Sequence, residues 1–280
     1  MFSYQLFPKF FQSLTADELM ETCQSLNLDA PTAMVRDGYW VNDADLEGSL
    51  AAFIKTAERH GMRISYAQTG LHMPDLKPND RTLKTLAAAG IEQARMGMIP
   101  KEIVPDYREL PDFFTRAAEK AEAAGRACGI RCVIQIHGNL YPHTATAVWQ
   151  MVKDLDPQYI GVKIDPGNNL TFEGYERFDY QIRLLRDYIT AVGVKDTEIG
   201  RNPGVTTGGK GWWRRFAPIT EGLADYGLIV SELLKVGFDG PMVFMPFYEE
   251  KDTARLMKLL GEEVAYLRGI EKRKREEMVL

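Results

Sequence analysis

Four strand-like stretches carry polar residues where a buried strand should be most apolar. In YIGVKIDPGNN, Lys163 and Asp165 stand two residues apart, so both side chains leave the same face of an extended chain. CVIQIHG repeats the spacing with Gln135 and His137, and IEQARMG with Gln93 and Arg95. TAVGVKD closes on Lys195 and Asp196, which as neighbours point to opposite faces for as long as the strand lasts. One pair alone reads equally well as a neutralised core pair that costs desolvation and adds little stability. The same pattern on four neighbouring strands points instead to a ligand site, because a buried charge without a partner is expensive. Arg95, Lys163 and Lys195 outweigh Asp165 and Asp196, which favours an anionic or polyhydroxylated ligand. His137 suits general acid–base work near neutral pH, and a lysine crowded by other cations suits a base or a Schiff-base nucleophile. His72, Tyr141, His143, Trp212 and Trp213 fall on loops, where aromatic groups either stack on a sugar face or form an apolar rim.

The elements that must position these groups alternate from end to end. Eight strand-like runs are predicted, at 2–7, 32–38, 63–69, 91–97, 132–138, 159–165, 190–196 and 241–247, the second with the weakest pattern. Helical patterns lie between them. Thr15 and Glu18 form a capping box, and NDADLEGSLAAFIKTAERHG opens on an Asn/Asp cap and stops at Gly61. Further helices are read in RELPDFFTRAAEKAEAAGRACG, TATAVWQMVKDL, YERFDYQIRLLRDY and EGLADYGLIVSELLKVG, and the chain closes on a long helix over 252–278. Unbroken alternation over 280 residues, with no low-complexity linker, predicts an α/β fold, a single (β/α)8 TIM barrel occupying 1–280. A doubly wound open sheet is the competitor, disfavoured because no dinucleotide or P-loop glycine motif follows the first strand. The Gly-rich NPGVTTGGKGWW, 202–213, has irregular spacing and reads as a loop in preference to a phosphate cradle.

Bulk properties narrow the function classes. The net charge is −5 and the basic residues are scattered, apart from the helix-end run EKRKREE, so no nucleic-acid partner is expected. Cys23, Cys128 and Cys132 have neither metal-type spacing nor an even count, which argues for reducing cytosol and a cytoplasmic protein. The apolar start MFSYQLFPKFF lacks the features of a signal peptide, and no run reaches the roughly 18 apolar residues of a membrane span. Aromatics on long loops are compatible with a homodimer.

At the strand-end residues the chain resembles the xylose isomerase-like barrels, the sugar phosphate isomerase/epimerase superfamily, most clearly over about residues 130–250. IQIHGN is similar to the fifth-strand motif that holds a metal-binding Glu in many members, and IDPGN, with Asn168, to the sixth-strand Asp-x-x-His or Asp-x-x-Asn segment. GVKD matches the His-x-Lys-Asp turn of strand seven, and ITEGLADYGLIVSELLKVGFDGPMVF the stretch leading into strand eight. The resemblance implies a divalent metal (Mn, Mg or Zn) held by two Glu, an Asp and a His. Only Asp165 matches as a metal ligand: Gln135 stands at the first Glu, Gly193 at the His, and Met245 or Pro246 near the last Glu. Neutral Gln, Gly and Met do not replace the charge that holds such a cation, so no tightly bound family metal is expected and the chain reads as a divergent branch. The expected activity is isomerisation or epimerisation of a sugar, sugar acid or sugar phosphate by proton transfer next to a carbonyl. His137, Asp165, Lys163 and Lys195 are its candidate catalytic residues. Arg95, Gln93, Gln135, His72, Asn168, Asp196 and Trp213 are the candidate substrate contacts. The rivals are a Schiff-base lyase or aldolase using Lys163 or Lys195, and a non-catalytic carbohydrate-binding relative.

Overall fold

Parallel strands of alternating in-and-out side chains can bury both faces only if helices cover the outside and the sheet curls on itself. The computed structural model, which describes residues 1–138, 140–172, 176–205, 211–250 and 252–279, takes that solution. The strands are β1 (Ser3–Leu6), β2 (Ala30–Pro31), β3 (Ala33–Met34), β4 (Tyr66–Gln68), β5 (Gln93–Arg95), β6 (Arg131–Gln135), β7 (Ile160–Ile164), β8 (Ile189–Val194), β9 (Asp196–Arg201), β10 (Trp212–Ala217) and β11 (Pro241–Phe244). Nine of them form one parallel sheet in the order β2-β1-β11-β8-β7-β6-β5-β4-β3. Its two ends are halves of a single broken stave. Ala30–Pro31 pairs with β1, Ala33–Met34 pairs with β4, and the Thr32 N–H between them donates to the Leu6 carbonyl at 2.9 Å. The weakest of the predicted strands is thus the seam of the barrel, and its bridging segment begins two residues earlier than its sequence pattern suggests.

The helices are α1 (Ala16–Ser25), α2 (Leu46–Arg59), α3 (Arg81–Ala88), α4 (Leu110–Cys128), α5 (Ala145–Val152), α6 (Pro166–Thr171), α7 (Phe178–Leu185), α8 (Tyr226–Lys235) and α9 (Thr253–Val279). The capping box forms, with the Thr15 hydroxyl accepting from the Glu18 N–H at 3.3 Å and Glu18 accepting from the Thr15 N–H at 2.7 Å. The start of α2 differs from expectation: Asn42 accepts from the Ala44 N–H in the preceding loop, and the helix begins at Leu46. Two helices have no counterpart in the sequence reading. They are α3, capped by Asp80 on the Leu83 N–H, and the six-residue α6, which Asp165 caps on the Asn168 N–H with Pro166 in the first turn.

Antiparallel β9 and β10 form a hairpin outside the barrel wall, immediately after β8. It was not anticipated. The central residues of the Gly-rich stretch, 206–210, lie outside the described residues; Trp212 and Trp213 belong to β10. The barrel interior is packed with Phe7, Met34, Tyr66, Val133, Ala191, Val243 and Met245, while a larger apolar layer lies between staves and helices. No helix among the described residues is long and apolar enough to cross a membrane.

Candidate functional site

The inward parity that buries Val133 and Ala191 continues along the same strands to Gln135 and Gly193. Where the staves end, inward residues stop packing against one another and open into a cavity of about 320 Å³ at the carboxyl end of the barrel. Arg95, Gln135, His137, Asn168 and Lys195 line it, and so do Lys9, Arg36 and Gln68 from the N-terminal half. Phe7, Phe172, Phe216, Met245 and Phe247 supply apolar wall.

Asp165 organises one side of this cavity from beneath. It is fully buried, and protein donors surround both oxygens: the Asn168 N–H at 3.0 Å, the Asn168 Nδ2 at 2.9 Å, the Gln135 Nε2 at 2.6 Å and the Lys195 ammonium at 3.6 Å. Asn168 in turn accepts from Lys195 Nζ at 2.7 Å. The carboxylate therefore does not face the cavity; it fixes the three side chains that do. Gly167 makes this possible, since a Cβ there would come within 2.6 Å of the Lys195 side chain. The Lys195 ammonium also sits 4.5 Å from the centroids of both Phe216 and Phe247, a cation–π cage. Burial pushes its pKa down, opposed by Asp165.

Lys163 occupies the layer below. It is fully buried, its Nζ donates to the Met245 sulfur at 3.2 Å, and burial pulls its pKa to about 7 against the opposing attraction of Asp165. Met245, not Lys163, meets the cavity. Lys163 and Asp165 do not form a close ion pair; Lys195 is the partner of Asp165. At Gly193 an added Cβ would lie 3.0 Å from the Asp165 carboxylate and 3.2 Å from Lys163 Cε, so the lysine fills space that a side chain at that position would need.

His137 stacks on Phe172, with ring centroids 5.0 Å apart, and its Nδ1 is enclosed without a hydrogen-bond partner among the described residues. Its pKa is lowered by burial, with Asp165 opposing and Lys195 and Arg95 adding to the depression, which keeps the ring neutral at pH 7. Arg95 donates to its own neighbour's carbonyl, Met96, at 2.6 Å, and its Nε is enclosed with no partner among the described residues. Its pKa is lowered by burial, and the nearby Arg36 charge adds to this.

Other candidates lie elsewhere. Gln93 shares its parity with Arg95 but sits at the amino end of the barrel, where its Nε2 reaches the Thr190 carbonyl at 3.3 Å and it lines a separate hollow of about 630 Å³ with Arg63, Glu92 and Arg131. Parity fixes which face a side chain takes, not its height along the barrel. His72 is exposed, 4.0 Å from Asp75, and does not line the cavity. Asp196 is buried outside it, accepting from the N–H groups of Thr197, Leu223 and Ala224; burial raises its pKa to about 6 against those hydrogen bonds. Trp213 packs beside Arg215 on the hairpin, and Phe216 is the hairpin residue that reaches the cavity. The residues that sequence reasoning missed, Lys9, Arg36, Gln68, Phe172 and Phe247, follow or end staves; an isolated cation just past an apolar strand was the available signal for the first two.

A parallel eight-stave barrel with its polar cavity at the strand carboxyl ends defines a TIM-barrel protein of the mouth-site type. A family model for the xylose isomerase-like TIM barrel matches residues 23–270, and the chain belongs to that family. Among solved structures, a xylose isomerase-like TIM barrel protein from Mycobacterium smegmatis in complex with magnesium is 16% identical, with TM-score 0.70, covering 97% of this chain and 96% of that one. A D-psicose 3-epimerase with D-tagatose from Clostridium cellulolyticum H10 is 13% identical at TM-score 0.69, covering 96% and 99%. A 3-keto-D-glucoside 4-epimerase from E. coli is 14% identical at TM-score 0.67, covering 96% and 100%. At these identities the likeness is one of fold. A comparison with curated proteins finds no match.

The divalent metal that this family implies does not fit the residues present. Among the described residues no group of three or more His, Cys, Asp or Glu could hold an ion. Asp165 is the one carboxylate at the position, its oxygens already accept from Gln135, Asn168 and Lys195, and two lysines crowd it. A divalent cation placed there would be repelled by these lysines, and Gln135, Gly193 and Met245 offer no compensating anion.

Proposed function

We propose that this protein isomerises or epimerises a carbohydrate by moving a proton on the carbon next to a carbonyl. The observation that carries the reading is the meeting of His137 and Lys195 on one small cavity above an Asp165 that fixes the lysine. A neutral imidazole can accept the proton from carbon and return it to the neighbouring carbon, as isomerisation requires; inversion at the same carbon would need a second group to give a proton from the opposite face. The electrons left behind move onto the carbonyl oxygen as an enediolate, and the Lys195 ammonium, with Arg95, is placed to stabilise that charge. Gln135 and Asn168, held by Asp165, offer polar groups for the sugar hydroxyls, and Phe172, Phe216 and Phe247 offer faces for its carbon skeleton. Asp165 and Lys163 are positioning residues in this reading, since neither lines the cavity.

A panel of ketoses, aldoses and their phosphate esters incubated in D2O, with deuterium wash-in at carbon followed by NMR, tests it. Exchange with at least one member, lost in His137→Ala and Lys195→Met, is the expected result; exchange undiminished in His137→Ala removes the histidine from the mechanism. Imine formation is a second reading, open to Lys195, whose amine meets the cavity and whose pKa burial lowers, rather than to Lys163, which Met245 covers. Borohydride trapping on Lys195, found by mass spectrometry, would select it.

A further inference from the structure

The inner layer at the amino end of the barrel is polar, where such barrels are ordinarily filled by branched aliphatic side chains. Phe7 and Val133 point inward, so Gln5 and Arg131, two residues before them on β1 and β6, face the axis nearer the amino end. Gln93 joins them from β5. Thr190 is turned inward by a bulge: Val162 on β7 pairs with Ile189 and Lys163 pairs with Ala191, which leaves Thr190 as the extra residue of β8. Gly161 gives it room, since an added Cβ there would lie 2.5 Å from Thr190 Oγ1 and 3.0 Å from Arg131 Cδ.

In this layer the amide donors are engaged and the oxygens are not. Gln5 Nε2 donates to Ser3 Oγ at 3.1 Å and to Ser65 Oγ at 3.2 Å, and Gln93 Nε2 donates to the Thr190 carbonyl at 3.3 Å. Gln5 Oε1, Gln93 Oε1 and Thr190 Oγ1 are enclosed with no partner among the described residues, and the three residues are only 1%, 7% and 4% exposed. A buried polar atom left unpaired is costly, so three of them in one layer point to a place built to receive hydrogen-bond donors. The comparable group, on Gln68, Arg95 and His137, borders the cavity at the other end of the barrel.

The hollow of about 630 Å³ opens on this layer, with Ser3, Ser65, Gln93, Arg131 and Thr190 on its wall, and its size suits a small ligand. Of its three arginines, Arg63 is held by Glu92 at 2.5 Å and Arg186 by Asp187 at 3.2 Å. Arg131 donates from Nε to the Gln158 carbonyl at 3.1 Å, and its terminal nitrogens have no partner among the described residues. We infer that this hollow is a second small-molecule site, for a small carboxylate that also bears hydroxyl groups. The guanidinium of Arg131 offers a planar pair of donors to the carboxylate. The hydroxyls supply donors for Gln93 and Thr190, and the soft final torsion of the Gln93 amide lets its oxygen turn toward them. The hollow and the His137–Lys195 cavity lie at opposite ends of the barrel, so the inference does not depend on the proton-transfer reading.

Calorimetric titration and thermal protection with malate and tartrate, against succinate and glycerol, test the site. At least one hydroxy acid should raise the melting temperature and bind about tenfold more tightly than succinate, which lacks the hydroxyls, and than glycerol, which lacks the carboxylate. Arg131→Gln, at a half-buried side chain, and the isosteric Thr190→Val should each weaken that binding, the first about tenfold. Arg36→Gln, at the carboxyl-end cavity, should leave it unchanged. A crystal soaked with the bound acid should show it against Arg131 and Gln93. No binding by either hydroxy acid, succinate or glycerol bound as tightly, affinity unaltered in both Arg131→Gln and Thr190→Val, affinity lost in Arg36→Gln, or water alone in the soaked hollow overturns the site.

Discussion

Replacing Lys163 by methionine should make the protein more stable at pH 6 and leave it less responsive to pH. The ammonium is fully buried beside one soft partner, the Met245 sulfur at 3.2 Å, and burial takes its pKa from 10.5 to about 7. Between those two values the unfolded chain holds a proton on this lysine that the folded chain does not, so stability rises with pH by about 1.4 kcal/mol per unit across that window. Below about pH 7 both states are charged and the full burial penalty, on the order of 5 kcal/mol, acts on the folded state. Methionine has nearly the same length and no charge, so its sulfur and methyl group can take the place of the amine beside Met245. Urea unfolding of wild type and Lys163→Met over roughly pH 6 to 10 measures the difference directly. The variant should lead at pH 6, and its advantage should shrink by roughly 4 kcal/mol by pH 10. Titrations common to both proteins cancel in that subtraction. A stability difference that stays flat across the range would refute the claim that Lys163 is a desolvated lysine with a depressed pKa.

Three further outcomes follow from the same geometry. Asp165→Asn leaves the buried Lys195 ammonium without its anion and should cost about 3–5 kcal/mol in urea unfolding, most of which Asp165→Asn combined with Lys195→Met should recover. Glu263, buried on α9, accepts from the Ile219 N–H at 2.8 Å and the Tyr248 hydroxyl at 3.2 Å, and burial raises its pKa to about 8. Its contribution is therefore present at acid pH and lost as pH rises from about 4.5 through 8, and Glu263→Gln should flatten the stability profile over that window. His137→Ala should abolish deuterium exchange while shifting the melting temperature by only a few degrees, and wild-type exchange should fall as pH drops through the lowered imidazole pKa.

Much of this molecule was determined by the chain read as a line of residues. Alternation of strand-like and helical patterns specified the barrel, and the two-residue spacing in Gln135–His137 and Lys163–Asp165 put chemistry on the inward face, because extended backbone offers each side chain only two directions. That Gln135, Gly193 and Met245 lack the donor chemistry of a metal position is legible in the chain as well, since ligand chemistry belongs to residue type. Tertiary structure decided the rest, for reasons that spacing does not contain. Height along the barrel depends on how staves are staggered, so Gln93 and Arg95, alike in parity, serve opposite ends. Which cation meets which anion depends on the packing between staves: Asp165 takes Lys195 from β8's end and not Lys163 from its own strand, and Met245 covers the latter. Lys9 and Arg36 are single charges after apolar runs, ordinary surface residues until the seam at Thr32 closes the barrel and turns them onto the same cavity as His137.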